Sequence, residues 1–508
     1  MAAHARMSPD DVVGSPPTPS PLPFAERASS LARPAPLWPR LPRQLRLGAY
    51  AAGMATRFES TEVAIIGAGI SGLAAARRLR AAGRKVLVLE ASTRVGGRLL
   101  SHELDDGTVF DLGGQWIASR EHMPLVNELI DDLGLQRFVQ RDDALMDYTA
   151  QPFADMPRIM NAEWQWFMAK LDELTESIDT KVLANSPDAD HLDSVSLEEW
   201  KQSNLDSDLL KRIFDQMIRT EYTLEPKDVS MLYFLYALKI NGGISTMLDV
   251  GTDGAQNLRV VEGLASLCTR IADSLDDDVV LGAQVYDIVQ RDDGVRVIGD
   301  SIMVEADRVI IALPPNQIQR IDFDPMLPRR RMWLLQRLEM GAVIKCFAIY
   351  DRPFWRGRVV TPLDPDTLVI DHALDASSVD DGHVALVAFI GGDDAVAWSD
   401  RTPEDRREIV LDNLAKVFGE EARTPIDYFD HDWLTEPTIG GGYCCYAPPG
   451  VMTAGYEELS TPIGFLHWAG TEMSNVHQGY VEGSLHAAYR ACDEVLSALA
   501  AADGAASA

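Results

Sequence analysis

The chain has 508 residues, 46% of them hydrophobic, which is enough sequence to form the cores of two or three domains. Its formal net charge of −31 at pH 7 argues against binding nucleic acid or an anionic membrane surface, because both would repel it. The five cysteines form neither a disulfide framework nor a zinc-binding pattern, which favours a soluble protein in a reducing cytoplasm.

Residues 1–57 differ in composition from the rest of the chain. They hold ten of the 28 prolines, and seven arginines against three acidic residues. This composition predicts a disordered leader, and a start codon placed too early, with Met54 as the true first residue, also explains it. A targeting role stays open because the segment is rich in arginine and poor in acids.

A strand, a glycine-rich turn, a helix and a second strand follow from Thr61. The run EVAIIGAG predicts a buried strand, ISGLAAARRLRAAG predicts a helix that ends near Gly83, and RKVLVLE predicts the next strand. The longest apolar run, at 63–76, is too short and too rich in glycine for a membrane anchor. These elements together form a βαβ unit.

The turn of this unit fits the pattern G-x-G-x-x-G from Gly67 through Gly69 and Ser71 to Gly72. Gly67 would allow the tight turn, Gly69 the close approach of a pyrophosphate, and Gly72 the close packing of helix on strand. The helix N-terminus offers free N–H groups to phosphates. Glu90, at the end of the second strand, is placed to accept ribose hydroxyls, so the unit predicts dinucleotide binding rather than a purely structural turn.

A second phosphate site is indicated directly after Glu90, in the stretch ASTRVGGRLLS. Gly96 and Gly97 permit another close backbone approach, and Arg98 can pair with a phosphate through its planar guanidinium. A bare NAD fold does not need this site, so FAD is favoured, with a solvated arginine turn as the alternative.

The remaining chain alternates between helix-rich and strand-rich stretches. Residues 135–255 show helical periodicity, and residues 279–315 predict a β-meander that ends in a buried strand. Residues 340–435 alternate between strand and helix, and the last unit is a strand, a loop and a long helix.

Lys345 is the only lysine between Lys239 and Lys416, and it lies within the apolar strand GAVIKCFAIY. A lysine seldom lies unpaired among apolar residues, so a functional role is predicted. The alternative is a lysine on an edge strand whose ammonium reaches solvent.

At this point the sequence resembles the FAD-dependent amine oxidase family, which includes flavin monoamine oxidases and polyamine oxidases. The resemblance covers residues 58 to 500 and rests on GAGISG, LEASTRVGGR, DLGGQWI, MGAVIKCFAIYDRPFWR, GGGYCCYAPPG and HWAGTEMSNVHQGYVEGSLHAAYRA. It implies an α/β two-domain flavoprotein, with a Rossmann-like FAD-binding domain and an α+β substrate-binding domain of mixed sheet and helices. The segments assigned to the FAD domain are 58–134, 256–330 and 436–502, those of the substrate domain are 135–255 and 331–435, and 503–508 form a tail.

The resemblance also implies positions for cofactor contacts. It places residues 113–116 beside the isoalloxazine, Val285 at the adenine, residues 470–472 at the diphosphate and ribityl chain, Val481 at the flavin pyrimidine and Trp433 near the flavin face. The residues carried over are Gly113, Gly114, Gln115, Trp116, Val285, Trp433, Gly470, Thr471 and Val481.

Three residues are expected to carry the chemistry. The resemblance places Lys345 by the flavin N5, where it would hold a water, and matches Tyr443 and Tyr480 to two aromatic walls that flank the amine. As isolated tyrosines they would more often be core residues. His477, three residues before Tyr480, could act as a base, but a structural role in its loop is favoured.

The adjacent cysteines bear on how FAD is attached. In mitochondrial monoamine oxidases, a cysteine directly before the first wall tyrosine is bonded to the flavin, and here Gly442 occupies that position. Cys444 and Cys445 follow the tyrosine instead, and adjacent side chains of an extended segment point to opposite faces. The sequence therefore predicts non-covalent FAD, with both cysteines as small buried residues and no disulfide between them.

The reaction implied is hydride transfer from an amine-bearing carbon to flavin N5, hydrolysis of the imine to an aldehyde or ketone, and reoxidation by O2 to give H2O2. The alternatives are an L-amino-acid oxidase, an amine dehydrogenase with a non-oxygen acceptor, and a flavin-containing scaffold without turnover. The expected partners are a small-molecule amine and O2, without nucleic acid or a membrane anchor, and a homodimer is the candidate assembly.

Overall fold

The computed structural model describes residues 57–140, 158–248, 254, 256–300, 302–356, 368–380 and 382–506. Except for Arg57, the predicted leader lies outside these residues. In the described part of the chain, no helix combines the length and the apolar character needed to cross a bilayer.

The largest sheet contains the predicted βαβ unit. Its parallel core pairs Arg57–Ile66 with Val86–Leu89 on one side and with Ile302–Ile311 on the other. The first strand begins four residues before the predicted Thr61, because its N-terminal half continues the pairing with residues 302–306. The remaining strands of this sheet are Val279–Val280, Val285–Arg291, Gly294–Gly299, Asp322–Asp324 and Leu466–Trp468.

Two long helices pack together beside this sheet. The helix Ile70–Ala81 is followed by Gly83, whose φ of 79° ends it as predicted. The last helix, Val481–Ala506, lies against it through a hydrogen bond from Cys492 Sγ to the carbonyl oxygen of Ala75. It extends into the predicted tail, since the alanine-rich sequence after residue 498 favours helix.

A second, antiparallel sheet has the strand order His372–Asp375, Val384–Gly391, Val343–Tyr350 and Asp427–Asp432. Lys345 lies on the third strand of this order, opposite Phe389 on one neighbour and His431 on the other. That strand is paired on both sides, so Lys345 is not an edge-strand lysine. Helices Gly392–Ser399 and Pro403–Phe418 cover one face of the sheet.

The predicted helix-rich region packs around an aromatic core. Phe167, Trp200 and Phe214 contact one another with ring centroids 5.6 to 6.3 Å apart, while 44% of the Trp166 surface is exposed. The helices of this region are Arg158–Ser177, Ala189–Ser194, Leu197–Asn204, Asp208–Tyr222, Met231–Ile240 and Ile244–Leu248.

Shorter elements connect these layers. The helices among them are Pro124–Asp132, Ser266–Leu275, Pro315–Ile318 and Arg329–Arg337, and the paired strands are Ser101–Glu103 with Val109–Asp111, Arg137–Val139 with Leu258–Val260, and Glu339–Met340 with Cys445–Tyr446. We propose that the first sheet and its helices form the FAD domain, and that the second sheet and the helix-rich region form the substrate domain.

Candidate active site

A cavity between the two sheets is lined by residues from distant parts of the chain. The glycine-rich turn, the end of the second strand, the strand with Lys345 and the start of the last helix all reach it. The predicted site residues in its lining are Gly67, Gly69, Ser71, Glu90, Arg98, Gly113, Gly114, Gln115, Trp116, Val285, Lys345, Trp433, Tyr443, Gly470, Thr471, Tyr480 and Val481.

The glycine-rich turn has three different constraints. Gly67 has a φ of 102°, and a Cβ there would lie 2.8 Å from the carbonyl oxygen of Ala312. Gly72 lies behind the cavity lining, where a Cβ would come within 2.0 Å of the Gly67 carbonyl oxygen. A Cβ on Gly69 would meet no atom closer than the carbonyl oxygen of Gly96 at 3.9 Å, so this glycine faces open space.

Ser71 and Thr471 tie this turn to the C-terminal segment. Ser71 Oγ donates to the carbonyl oxygen of Ser484 and accepts from the N–H of Gly470, at 3.0 and 2.9 Å. Thr471 Oγ1 donates to the carbonyl oxygen of Tyr480 and accepts from the N–H of Gly479. These hydrogen bonds fix the glycine-rich turn and the C-terminal segment in position relative to each other.

Glu90 is buried at the end of its strand. Its two carboxylate oxygens accept from the N–H groups of Ala68 and Ser92, both at 2.7 Å. Burial raises the pKa of this carboxyl, and the two backbone N–H groups oppose that rise. Each oxygen keeps a second lone pair for another donor.

Arg98 is held by protein groups. Its guanidinium forms a bidentate pair with Glu472, at 2.6 and 3.0 Å, and donates to the carbonyl oxygen of Tyr443 at 2.8 Å. It thereby joins two segments that follow it in sequence by more than 340 residues. The predicted phosphate contact of Arg98 stays a prediction.

Lys345 and Gln115 form a polar pair within an aromatic wall. Lys345 Nζ donates to the carbonyl oxygen of Gly113 at 2.9 Å and to Gln115 Oε1 at 2.7 Å. The ammonium lies 5.2 Å from the ring centroid of Trp116 and 5.4 Å from that of Phe389. Gln115 Nε2 is buried and has no hydrogen-bond partner in the described part of the chain, so it is free to donate into the cavity.

The charge state of Lys345 is perturbed by its surroundings. Burial lowers the pKa of the ammonium, the carboxylate of Asp111 opposes this, and the charge of Arg259 adds to it. Asp111 is itself buried, with its carboxylate accepting from Ser101 Oγ and the N–H of Leu264. Lys345 can therefore exchange a proton much more readily than a surface lysine.

Tyr443 and Tyr480 both reach the cavity from the C-terminal segments. Tyr443 packs edge-on against Phe389, with centroids 6.4 Å apart and an interplanar angle of 84°. Burial raises the pKa of both phenols, so they are neutral hydrogen-bonding groups. His477 contacts Tyr480 with centroids 6.5 Å apart, and it is not among the described residues that line the cavity.

Trp433 and Val285 close other parts of the lining. Trp433 is buried, and its Nε1 donates to the carbonyl oxygen of Leu112 at 3.0 Å. Val285 is buried at the start of its strand, opposite Gly299.

The adjacent cysteines are both free and buried, as predicted. Burial is the main cause that raises the pKa of each thiol, to about 12 for Cys444, so neither is a thiolate at neutral pH. Gly442 lines the cavity at the position that precedes Tyr443. It supplies no sulfur.

Several lining residues were not predicted from the sequence. They include Glu221, His372 and Phe389. Glu472, which pairs with Arg98, lies in the segment that the resemblance placed at the diphosphate. Glu221 is one of many acids on amphipathic helices, so the sequence held no local signal for it.

The profile of one protein family matches most of this chain. It is described as flavin containing amine oxidoreductase, and the match covers residues 70–496. The chain belongs to this family. The amine oxidoreductase therefore acts on amines, and its cofactor is FAD, bound non-covalently as is typical of the family.

Named relatives agree with this assignment. The chain is 31% identical over 451 residues to a probable flavin-containing monoamine oxidase A of Dictyostelium discoideum, which covers 85% of this chain and 97% of the relative. It is 32% identical over 460 residues to an L-amino acid dehydrogenase of Synechocystis sp., covering 87% of this chain and 96% of the relative.

Solved structures share the fold. Cyclohexylamine oxidase from Brevibacterium oxydans superposes with a TM-score of 0.80 at 32% identity, over 86% of this chain and 99% of that one. Wild-type putrescine oxidase bound to putrescine gives a TM-score of 0.77 at 29% identity, over 87% and 100% of the two chains. These similarities bear out the predicted fold class, an α/β flavoprotein with mixed sheet and helices.

The described residues fit FAD. Open space beside Gly69, at a helix N-terminus, suits a diphosphate, because the N–H groups and the positive end of the helix dipole favour anions. Gln115 Nε2 offers an unused donor next to Lys345. The start of the helix at Val481 offers further N–H groups to the same cavity.

Proposed function

We propose that this amine oxidoreductase is an oxidase of small amines that uses O2 as the electron acceptor. The observation that carries the proposal is the convergence of Lys345, Gln115, Tyr443 and Tyr480 on one cavity. FAD, when bound, supplies hydride acceptance from the amine-bearing carbon and delivery of the electrons to O2. The imine product hydrolyses to an aldehyde or ketone, and H2O2 is released.

Lys345 is the residue that handles protons in this proposal. Its Nζ is held in place by the carbonyl oxygen of Gly113 and by Gln115 Oε1, and its pKa is lowered by burial. A group fixed by two hydrogen bonds and poised to exchange a proton can hold a water molecule or pass a proton to it. The strand that carries it is paired on both sides, which keeps Nζ in position.

Tyr443 and Tyr480 orient the amine. Aromatic faces attract an ammonium and also tolerate the neutral amine, so the slot can bind the substrate before and after it loses its proton. Phe389 and Trp116 extend the same aromatic wall. The aromatic lining also excludes water from the carbon that reacts.

The cofactor contacts are assigned as follows. We propose that residues 67–72 and Gly470 hold the diphosphate, with Arg98 and Glu472 beside it, and that Glu90 holds the ribose. When FAD is bound, Gln115, Trp116 and Trp433 would contact the flavin, Val285 the adenine and Val481 the pyrimidine ring of the flavin.

An L-amino-acid substrate is the main alternative, and the Synechocystis relative carries such a name. A substrate carboxylate needs a cation in the cavity. The described arginines of the lining are Arg94 and Arg98. Arg94 donates to the carbonyl oxygen of Gly97, and Arg98 forms an ion pair with Glu472. The carboxyl of Glu221, in the same lining, offers no positive charge to a substrate carboxylate.

A peroxide-coupled screen tests the proposal. Purified holoenzyme is mixed with primary, secondary, aromatic and polyamine substrates and with L-amino acids, and catalase is added to parallel samples. We expect peroxide with amines and none with amino acids. Turnover only with L-amino acids would support the alternative, and turnover only with a dye or quinone acceptor would make the protein a dehydrogenase.

A further inference from the structure

Gln115 is a buried glutamine whose side-chain oxygen and nitrogen have different surroundings. Only 2% of the residue is exposed, and it lines the cavity. Lys345 Nζ donates to its Oε1 at 2.7 Å, whereas its Nε2 has no hydrogen-bond acceptor in the described part of the chain. A buried amide N–H without an acceptor is costly, so we expect a ligand of the cavity to supply the acceptor.

Lys345 determines which end of the Gln115 amide faces the cavity. An ammonium donates hydrogen bonds and cannot accept one, so the amide oxygen must lie on the lysine side. The ammonium is itself held by the carbonyl oxygen of Gly113 at 2.9 Å, and its strand is paired on both sides. The Nε2 end of Gln115 therefore points away from Lys345 and is available as a donor.

Backbone hydrogen bonds connect the segment before Gln115 to the glycine-rich turn. The N–H of Gly96 donates to the carbonyl oxygen of Ala68, within that turn, at 2.9 Å. Two residues further on, the carbonyl oxygen of Arg98 accepts from the N–H of Gly114 at 3.1 Å. Gln115 therefore follows a segment that is tied to the turn where a diphosphate fits.

Gln115 is also the link between Lys345 and the rest of the cavity. Among the described residues, it is the one side chain that forms a hydrogen bond with the Lys345 ammonium. The other close neighbours of Nζ are aromatic, with the ring centroids of Trp116, Phe347 and Phe389 at 5.2 to 5.4 Å. The charge of Lys345 therefore reaches a ligand most directly through the Gln115 amide.

We propose that Gln115 Nε2 donates a hydrogen bond to the isoalloxazine of bound FAD, and that Lys345 holds the amide in the orientation that allows it. This inference rests on the proposed function, which places the flavin beside Gln115. The edge of the flavin ring carries carbonyl oxygens and nitrogens that accept hydrogen bonds, and reduction makes them more negative. A donor there stabilises the reduced flavin more than the oxidised flavin, and polarisation of the amide by the ammonium strengthens the donor.

The reduction equilibrium of the bound flavin tests the proposal without any amine. The holoenzyme is reduced slowly by xanthine and xanthine oxidase under argon, with a reference dye of known potential, at pH 6, which lies below the lowered pKa of Lys345. Gln115→Met keeps the length of the side chain and removes its polar atoms. We expect the equilibrium constant for flavin reduction to fall by about 10-fold or more, which is about 30 mV for a two-electron couple.

Gln115→Glu separates the donor from the packing of the side chain. The carboxylate has nearly the same shape and still accepts from Lys345, but it cannot donate, and it adds a negative charge beside the flavin. The equilibrium constant should fall further than in Gln115→Met, and a value equal to that of the wild type would overturn the proposal. Gln202→Met is the control, because Gln202 is exposed and pairs with Glu198, and it should keep the wild-type value.

A double-mutant cycle tests the part played by Lys345. In Lys345→Met protein no ammonium orients the amide, so adding Gln115→Met should lower the equilibrium constant by less than about 3-fold. An equal effect of Gln115→Met in both backgrounds would show that Lys345 does not hold the donor. The absence of an effect in the wild-type background would show that Gln115 does not donate to the flavin, and either result overturns the proposal.

The measurement also separates this proposal from amine oxidation. If no amine bleaches the oxidised holoenzyme, the proposed oxidation fails, and the dye equilibria still decide the role of Gln115. If amines bleach the flavin and Gln115→Met has the wild-type equilibrium constant, the oxidation stands and the hydrogen bond from Gln115 is refuted.

Discussion

Lys345 illustrates what a single residue in an apolar strand can reveal. Its isolation among apolar neighbours predicted a special role, and the structure places its ammonium between Gln115, Gly113 and three aromatic rings. The partners themselves could not be predicted, because they lie about 230 residues away in sequence.

Lys345→Met should affect the chemistry more than the fold. The substitution keeps the length of the stem and removes the charge, so packing should change little. We expect FAD to remain bound, while flavin reduction by amine or reoxidation by O2 slows by roughly 10²-fold or more. Anaerobic stopped-flow with amine, followed by mixing with oxygenated buffer, measures the two steps separately.

Lys416→Met is the matched control, since that lysine lies on a helix surface with about half of its side chain exposed. It should leave both rates at the wild-type values. Wild-type rates in Lys345→Met as well would remove Lys345 from the mechanism and make it a structural residue of the strand.

Glu221 gives a pH-dependent signature in the absence of amine. Its folded-state pKa of about 8 lies above the ordinary value of 4.5, so its contribution to stability is present at low pH and is lost as the pH rises through 8. Glu221→Gln does not titrate, and it should gain stability relative to the wild type between about pH 5 and about pH 9, by at most about 1.4 kcal/mol per pH unit.

Thermal unfolding of the amine-free holoenzyme measures this difference. The gap in melting temperature between Glu221→Gln and the wild type should widen towards high pH, while Glu128→Gln, on the exposed side of another helix, should show a constant gap. The phenols of Tyr222, Tyr443 and Tyr480 have raised pKa values and stay neutral over this range. A difference in melting temperature between Glu221→Gln and the wild type that does not change with pH would contradict a raised pKa of the Glu221 carboxyl.

At the scale of elements, the segment 440–450 decides how the cofactor is held. Gly442 precedes Tyr443 in the cavity lining, and the two cysteine thiols that follow are free and buried. A sulfur displaced by one or two residues along a segment cannot replace one at 442, because the side-chain direction and the distance both change.

Acid precipitation of the purified protein tests this attachment. We expect yellow FAD to be released into the supernatant, because no bond joins it to the chain. Colour that stays in the washed pellet would contradict non-covalent binding and would direct attention to Cys444 and Cys445, which peptide mass spectrometry would distinguish.

Local elements were the best predicted part of the fold. The βαβ unit, the β-meander and the strand with Lys345 were all predicted, since each depends on hydrophobic periodicity over a few residues. The glycine-rich turn was equally clear, because its roles follow from backbone conformation and close packing. The pairing of Arg98 with Glu472 was not predicted, because it joins residues 374 positions apart.

At the scale of the molecule, the cavity exists because two sheets from interleaved segments meet. No sequence feature indicated that the end of the helix Asp208–Tyr222 would contact residues 442–446, so Glu221 was not predicted to line the cavity. The net charge of −31 is consistent with cationic substrates, and Glu221 is an acidic residue in the cavity lining.

The leader should be dispensable for the enzyme. Its proline-rich sequence lacks periodic apolar residues, and the described elements begin at Arg57. A chain that begins at Met54 should retain FAD, melt at the same temperature and oxidise amines at the same rate. Loss of FAD or a lower melting temperature in the shortened chain would show that residues 1–53 contribute to the folded protein.

The most direct test of amine oxidation at this cavity is anaerobic mixing of the oxidised holoenzyme with an amine. We predict that the visible absorbance of the flavin bleaches, that one aldehyde or ketone forms per flavin, and that O2 restores the colour with release of H2O2. The account is contradicted if dithionite bleaches the flavin while every amine of the panel leaves it oxidised.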